Sequence, residues 1–260
     1  MKPFQLAVCA GVALALSSTA LQAAAPAHAR RAAPAERARD VDPEAVQALQ
    51  RMSAYLGALT EFQIKATTGI ELVMDDGQKV ELDAVTTYKV HRPDGFLIET
   101  SSDQRVRQFY YNGKQFTVVA PELGYYATVA APPTIRQTLD LAADKYHIAL
   151  PLEDLFRWSD PHNGRPTDLI SGFKVGPATL DGVETDQYAF REGDVDWQIW
   201  IARGDQPEPL KVVIIDRLDP AHPYYVARLN WNTAPSLAAD TFTYTPAADA
   251  KAIRIAATGK

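Results

Sequence analysis

The chain carries five histidines, His28, His91, His147, His162 and His222, and a single cysteine, Cys9. A zinc site needs such residues at ligand spacing, with three or four donors converging. There is no H-E-x-x-H run, and Cys9 is remote in sequence from the later histidines. The most polar cluster is Ser159-Asp160-Pro161-His162-Asn163-Gly164-Arg165. Turn chemistry accounts for its residues without a site: Pro fixes φ, Asn and Gly accept unusual φ, and Ser and Asp bond their own backbone. Asp75-Asp76-Gly77 resembles the opening of a calcium loop but lacks the later ligands, so it reads as a hairpin turn. Asp194 and Asp196 fall on one face of a strand, the arrangement a glycosidase needs. A solvated strand end explains them more simply. No G-x-S-x-G elbow, G-x-G-x-x-G loop or phosphate loop occurs. The residues therefore predict no catalytic group, no metal and no cofactor.

The ends and the charge narrow the setting. MKPFQLAVCAGVALALSSTALQAAAPAHA has Lys2, then the apolar run Leu6–Leu16, then small residues. That run is too short to cross a bilayer and fits a secretory signal, expected over residues 1–29. Cys9 sits too early in the run for lipid attachment. Once the signal is cleaved, no cysteine would remain to form a disulfide, and the core must hold the fold unaided. Residues 30–41, rich in Ala, Arg and Pro, read as a flexible leader. The chain has 26 basic and 32 acidic residues. Residues 1–39 hold five of the former and one of the latter, which leaves 21 against 31, or −10, for the rest. So acidic a body is a poor match for nucleic acid or anionic membrane surfaces, and nucleic-acid binding is discarded.

These residues need elements to position them. Asp42-Pro43 is an N-cap followed by a first-turn proline, and Val46, Leu49, Met52, Leu56 and Leu59 recur as one apolar stripe. The spacing predicts a one-sided helix over 42–59. From Phe62 the period becomes two. Strands are expected through Val90, turning at Asp75-Asp76-Gly77, and onward from Phe96, with turns at Arg92–Gly95, Asn112-Gly113 and Glu122–Gly124. Then TIRQTLDLAADKYHI sets Ile135, Leu139 and Tyr146 on one helical face, and PLEDLFRWSD offers a second short helix. Strands resume through YYVARLNWN and end with DTFTYTPAADA. About eleven antiparallel strands with brief one-sided helices predict a mainly β (α+β) fold: an unclosed antiparallel β-barrel whose concave face the helices cover.

One hairpin, DVDWQIWIARGDQPEPLKVVIID, is apolar on both faces. Trp197, Ile199 and Ile201 oppose Trp200 and Ala202, and Val212 and Ile214 oppose Val213 and Ile215. Both faces call for cover, the helices on one and other packing on the second.

Two stretches carry a family resemblance. Trp200-Ile201-Ala202-Arg203, a turn with Pro207 and Pro209, then Leu210-Lys211-Val212 resembles a hairpin of the periplasmic outer-membrane lipoprotein carriers, the LolA/LolB-like superfamily. Phe242-Thr243-Tyr244-Thr245-Pro246, with Ala248-Asp249-Ala250, resembles their terminal F-x-F-x-P-P pattern, although Ala247 replaces the second proline. The order of elements over 42–250 is similar to a family of uncharacterised predicted periplasmic proteins grouped near those carriers. The resemblance implies a single half-barrel domain over 42–250, a tail over 251–260, and an apolar cavity for acyl chains. It implies no particular arginine.

The apolar positions proposed to line such a cavity are Phe62, Ile64, Leu72, Leu82, Tyr88, Phe96, Ile98, Tyr110, Phe116, Val118, Tyr188, Trp200, Leu229 and Trp231. The expected function is a periplasmic binding or carrier protein, a monomer, that holds a lipid-like ligand or the acyl chains of a lipoprotein and passes it to an envelope protein. The alternative is a ligand-free interaction or envelope-sensing module of the same shape.

Overall fold

The computed structural model describes residues 40–148, 150, 152 and 168–255. The second short helix and the polar loop at 159–165 lie outside them, as does the signal segment.

The core of the fold is one sheet. Its long strands are β2 (Glu61–Val73), β3 (Lys79–His91), β4 (Gly95–Ser102), β5 (Arg105–Tyr111), β6 (Gln115–Ala120) and β7 (Tyr125–Ala130). After the second helix come β8 (Ser171–Leu180), β9 (Val183–Arg191), β10 (Val195–Ala202), β11 (Pro209–Asp216) and β12 (Tyr224–Asn232). Two very short strands, β1 (Asp40–Val41) and β13 (Lys251–Ala252), pair in parallel with β8 and β7. The order is β1-β8-β9-β10-β11-β12-β2-β3-β4-β5-β6-β7-β13, an open antiparallel-dominated half-barrel. β12 pairs with β2, so the chain's two runs of strands meet mid-sheet.

β1 and β13 fall where the sequence reads as leader and tail. Strands of two residues are too short to show a period, so nothing local marks them. The closing DTFTYTP segment corrects another expectation, because it is not a strand. Phe242 and Tyr244 alternate as a strand's inward side chains would, yet they pack across the outer surface of the sheet. Phe242 lies 6.3 Å from His91 ring to ring, and Tyr244 lies 5.3 Å from both Tyr110 and Tyr126.

Helix α1 (Pro43–Ala58) starts where Asp42 caps it, the carboxylate accepting from the Glu44 amide at 2.8 Å. It buries Ala45, Ala48, Leu49, Met52 and Leu56. Helix α2 (Ile135–Tyr146) is capped by Thr134, which accepts from the Gln137 amide, and it buries Ile135, Leu139 and Ala142. These residues join one cluster with Phe62, Ile64, Tyr88, Phe96, Phe116, Ile199 and Leu229 of the sheet. Burying each such large side chain is worth about 1.5–3 kcal/mol, so this one layer supplies most of the driving force.

Candidate functional site

Strand register decides which side chains face the helices. Cross-strand partners share a face. One row runs Trp231, Ile64, Tyr88, Ile98, Phe109 and Val118. A second runs Val90, Phe96, Tyr111 and Phe116, and a third Tyr188, Ile199, Val212 and Ala227. This is the inner face. Leu229, Leu72 and Leu82 share it through β2 and β3.

Of the positions proposed to line a cavity, all but two stand on this face. Tyr110 pairs with Leu97 and Thr117 and faces outward, against Tyr244 of the closing segment. Trp200 pairs with Gln187 and Lys211, also outward, and the Lys211 ammonium sits 4.5 Å above its ring. Both are corrections with one cause. In FYY and in WQIW the aromatic residues occupy both phases of the strand, and composition alone does not tell which phase meets the helices. The same ambiguity hid Phe109, Tyr111, Trp197 and Tyr225, which do face inward. Alternation anchored on Phe96 and Leu229 would have found them.

The two-sided hairpin is thereby explained. Trp197, Ile199 and Val212 join the core cluster with the helices, while Trp200 is covered on the outer side by Lys211, whose ammonium stands over its ring.

Charge is nearly excluded from the inner face. From β12 through β2 and β3 to β4, its side chains are apolar, hydroxyl-bearing or aromatic, whereas the outer face of β2 and β3 carries Lys65, Glu71, Lys79, Glu81, Asp83 and Lys89. The inner hydroxyls are mostly bonded: Thr68 donates to the Ala84 carbonyl at 3.2 Å, Thr86 and Thr100 share a 3.0 Å bond, and Tyr111 donates to the Pro132 carbonyl at 2.7 Å.

The face has two zones. Tyr88, Phe96, Ile98 and Phe116 are 0% exposed, so no water-sized space touches them. Towards the far end of the β2–β3 hairpin the same face opens: Ile70, Leu72 and Leu82 are half-buried, Val80 is 37% exposed, and Met74 in the turn 50%. The hairpin runs past its neighbours here, since β12 pairs with β2 only as far as Ile70 and β4 with β3 only as far as Val85.

The helices are fastened at the opposite end. The Arg92 amide donates to the Thr60 carbonyl just after α1, and the Pro93 carbonyl accepts from the Ile135 amide that begins α2. Helix α1 is held further by Lys174–Glu44 at 2.8 Å and by Tyr55, whose hydroxyl donates to Glu208 at 3.1 Å. Burial pushes the Glu208 carboxyl above its ordinary value, and burial followed by the Glu208 charge pushes the Tyr55 hydroxyl up.

The residues with chemical potential are dispersed. Asp196 is bound by Arg191 at 2.6 and 2.7 Å and lies 3.6 Å from Arg217. Asp76 accepts from the Gln78 amide in its turn, and His222 bonds the Asp216 carbonyl. Among the described residues, no group of three or more His, Cys, Asp or Glu side chains is placed to hold a metal ion.

The sequence profile of one family matches residues 45–256, almost the whole described body. The chain belongs to the DUF2092 family of predicted periplasmic proteins. Its periplasmic setting agrees with the exported chain that the opening segment predicts. No curated protein matches the sequence. Among solved structures, an uncharacterized conserved protein from Thermus thermophilus is similar at 14% identity, covering 81% of this chain and 99% of that one, with a TM-score of 0.47. LprF from Mycobacterium bovis is similar at 15% identity, covering 78% and 99%, TM-score 0.43. A LolA superfamily protein from Nitrosomonas europaea is similar at 11% identity, covering 77% and 97%, TM-score 0.37. Likenesses this distant say nothing of what this DUF2092 protein binds.

Proposed function

We propose that this periplasmic protein binds a lipid-like ligand through its acyl chain, laid along the inner face beneath α1 and α2. The observation that carries this reading is the apolar lane on the inner face of β2 and β3. It runs from the sealed layer at Ile64 and Tyr88 through Ile70, Leu72 and Leu82 to the exposed Met74 and Val80. A hairpin that merely extended into water would gain nothing from an apolar face continued to its tip. An acyl chain seated on it gains about 0.8 kcal/mol for each CH₂ buried.

Binding is reversible burial without covalent chemistry. Tyr88, Phe96, Ile98 and Phe116 leave no water-sized space beside them, so a chain penetrates to them only when a helix lifts, and release follows when it closes again. Phe62, Ile64, Leu72, Leu82, Tyr88, Phe96, Ile98, Phe116, Val118, Tyr188, Leu229 and Trp231 are the residues proposed to contact the guest. The sealed layer itself favours the second reading, a ligand-free interaction or envelope-sensing module with a filled core.

The test is native mass spectrometry and solvent extraction of protein purified from periplasm without detergent. A co-purifying lipid or acylated peptide supports the carrier reading. Ligand-free protein that also fails to take up added phospholipid overturns it in favour of the interaction module.

A further inference from the structure

Tyr225 stands on the inner face of β12, cross-strand from Ile70 on one side and Ile214 on the other. It thus marks the border between the sealed layer and the open lane. Its ring is half-buried, yet its hydroxyl oxygen is inaccessible and has no hydrogen-bond partner among the described residues. The neighbouring polar groups of this face are served differently: Thr68, Thr86 and Tyr111 are bonded within the protein, and the Trp231 indole N–H donates to the Pro209 carbonyl at 2.8 Å. A buried hydroxyl without a partner has given up its bonds to water and received none in return, which folded proteins rarely tolerate without a use.

We infer that the Tyr225 hydroxyl is the donor that receives a carbonyl oxygen of the ligand, which makes the ligand an ester- or amide-linked acyl lipid held with its chain inward and its head towards the hairpin tip. The inference rests on the acyl-chain reading above. Two features select the acceptor's chemistry. A tyrosine hydroxyl is protonated, and so a donor, near neutral pH, and burial pushes its value further up. The strands around Tyr225 carry no cation on this face among the described residues, and Arg92, whose guanidinium lies 5.5 Å from the Phe62 ring centroid, stands at the opposite end of the β2–β3 pair. A free fatty carboxylate buried there would lose its hydration with no counter-charge, whereas a neutral carbonyl gains a hydrogen bond at small desolvation cost. The depth also fits. A carbonyl at Tyr225 leaves the chain facing Thr68, Ala66 and Ile64 in one direction, and the head group facing Leu72, Leu82 and Met74 in the other.

The test titrates the purified protein with two fluorescent phospholipids that share one head group and chain length, one diacyl with ester carbonyls and one dialkyl with ether links. The wild type is expected to bind the ester about three- to tenfold more tightly, the worth of one net hydrogen bond. Tyr225→Phe is expected to bring the ester down to the ether's affinity and leave the ether unchanged. It should also melt no lower than the wild type, since it removes only the unbonded hydroxyl. Equal binding of both lipids by the wild type overturns the inference and leaves the acyl-chain reading standing. So does a preference that survives Tyr225→Phe, or an equal loss for both lipids in the variant. If the wild type binds neither lipid, the acyl-chain reading falls, and this inference with it.

Discussion

The Arg92 amide donates to the Thr60 carbonyl at 2.7 Å, and the carbonyl of the next residue, Pro93, accepts from Ile135 at 2.9 Å. A single turn between β3 and β4 therefore grips the end of one covering helix and the start of the other. Helix α1 is tied at its start as well, by Lys174–Glu44 and by the Asp42 amide on the Gly172 carbonyl, so opening falls to the distant end of α2. Hydrogen exchange should show this: added phospholipid is expected to leave the Arg92 and Ile135 amides protected and to speed exchange in the last turn of α2. Loss of protection at Arg92 would mean that the cover comes off as a whole.

Inner and outer positions of one sheet should separate cleanly by mutation. Leu229→Ala truncates a side chain within the core cluster and is expected to cost about 2–5 kcal/mol of stability, with weakened lipid uptake. Trp200→Ala lies on the outer face and loses its contact with the Lys211 ammonium. It should lower stability but leave uptake per folded molecule unchanged. Denaturant melts paired with a lipid titration measure both, and lost uptake in Trp200→Ala would contradict the assigned face.

The closing segment lies tightly on the outer surface because Gly95 has no side chain. A Cβ there would sit 2.8 Å from Cδ2 of Phe242. Gly95→Ala is expected to cost about 1–3 kcal/mol by overpacking. Phe242→Ala should remove most of that penalty, so a double-mutant cycle of urea melts must be strongly non-additive. Additive losses would place the strain elsewhere.

The burial of Glu208, which accepts from the Tyr55 hydroxyl, gives the fastening of α1 a pH dependence. Burial raises the Glu208 carboxyl above its ordinary value of 4.5, so the folded protein binds this proton more tightly than the unfolded chain does. The contribution to stability is then complete below 4.5 and is lost as pH rises through the elevated folded value. Glu208→Gln keeps an acceptor for Tyr55 without the charge. It should flatten this part of the stability profile and leave the protein no less stable at pH 7. Thermal melts from pH 4 to pH 8 check it, and an unchanged profile would show that Glu208 titrates alike in both states.

Much of this architecture is local and so was legible in the residues. Asp42-Pro43 starts α1 by capping chemistry, Asn112-Gly113 and Asp75-Asp76-Gly77 turn their hairpins by backbone preference, and the two-residue period from Phe62 to Val90 marks the long strands wherever they end up. The acidic body and the opening apolar run likewise depend on composition alone. Other features arise only when distant parts of the chain meet. Whether Tyr110 or Tyr111 faces the helices depends on the direction of the sheet's curvature and on its register with Phe96, not on the FYY triplet. The pairing of β12 with β2 joins residues far apart in sequence, and the short strands β1 and β13 exist only because β8 and β7 offer edges to them. The solitary hydroxyl of Tyr225 belongs to the same class: a tyrosine is bonded or unbonded according to what folds around it, and no neighbour in the sequence reports that.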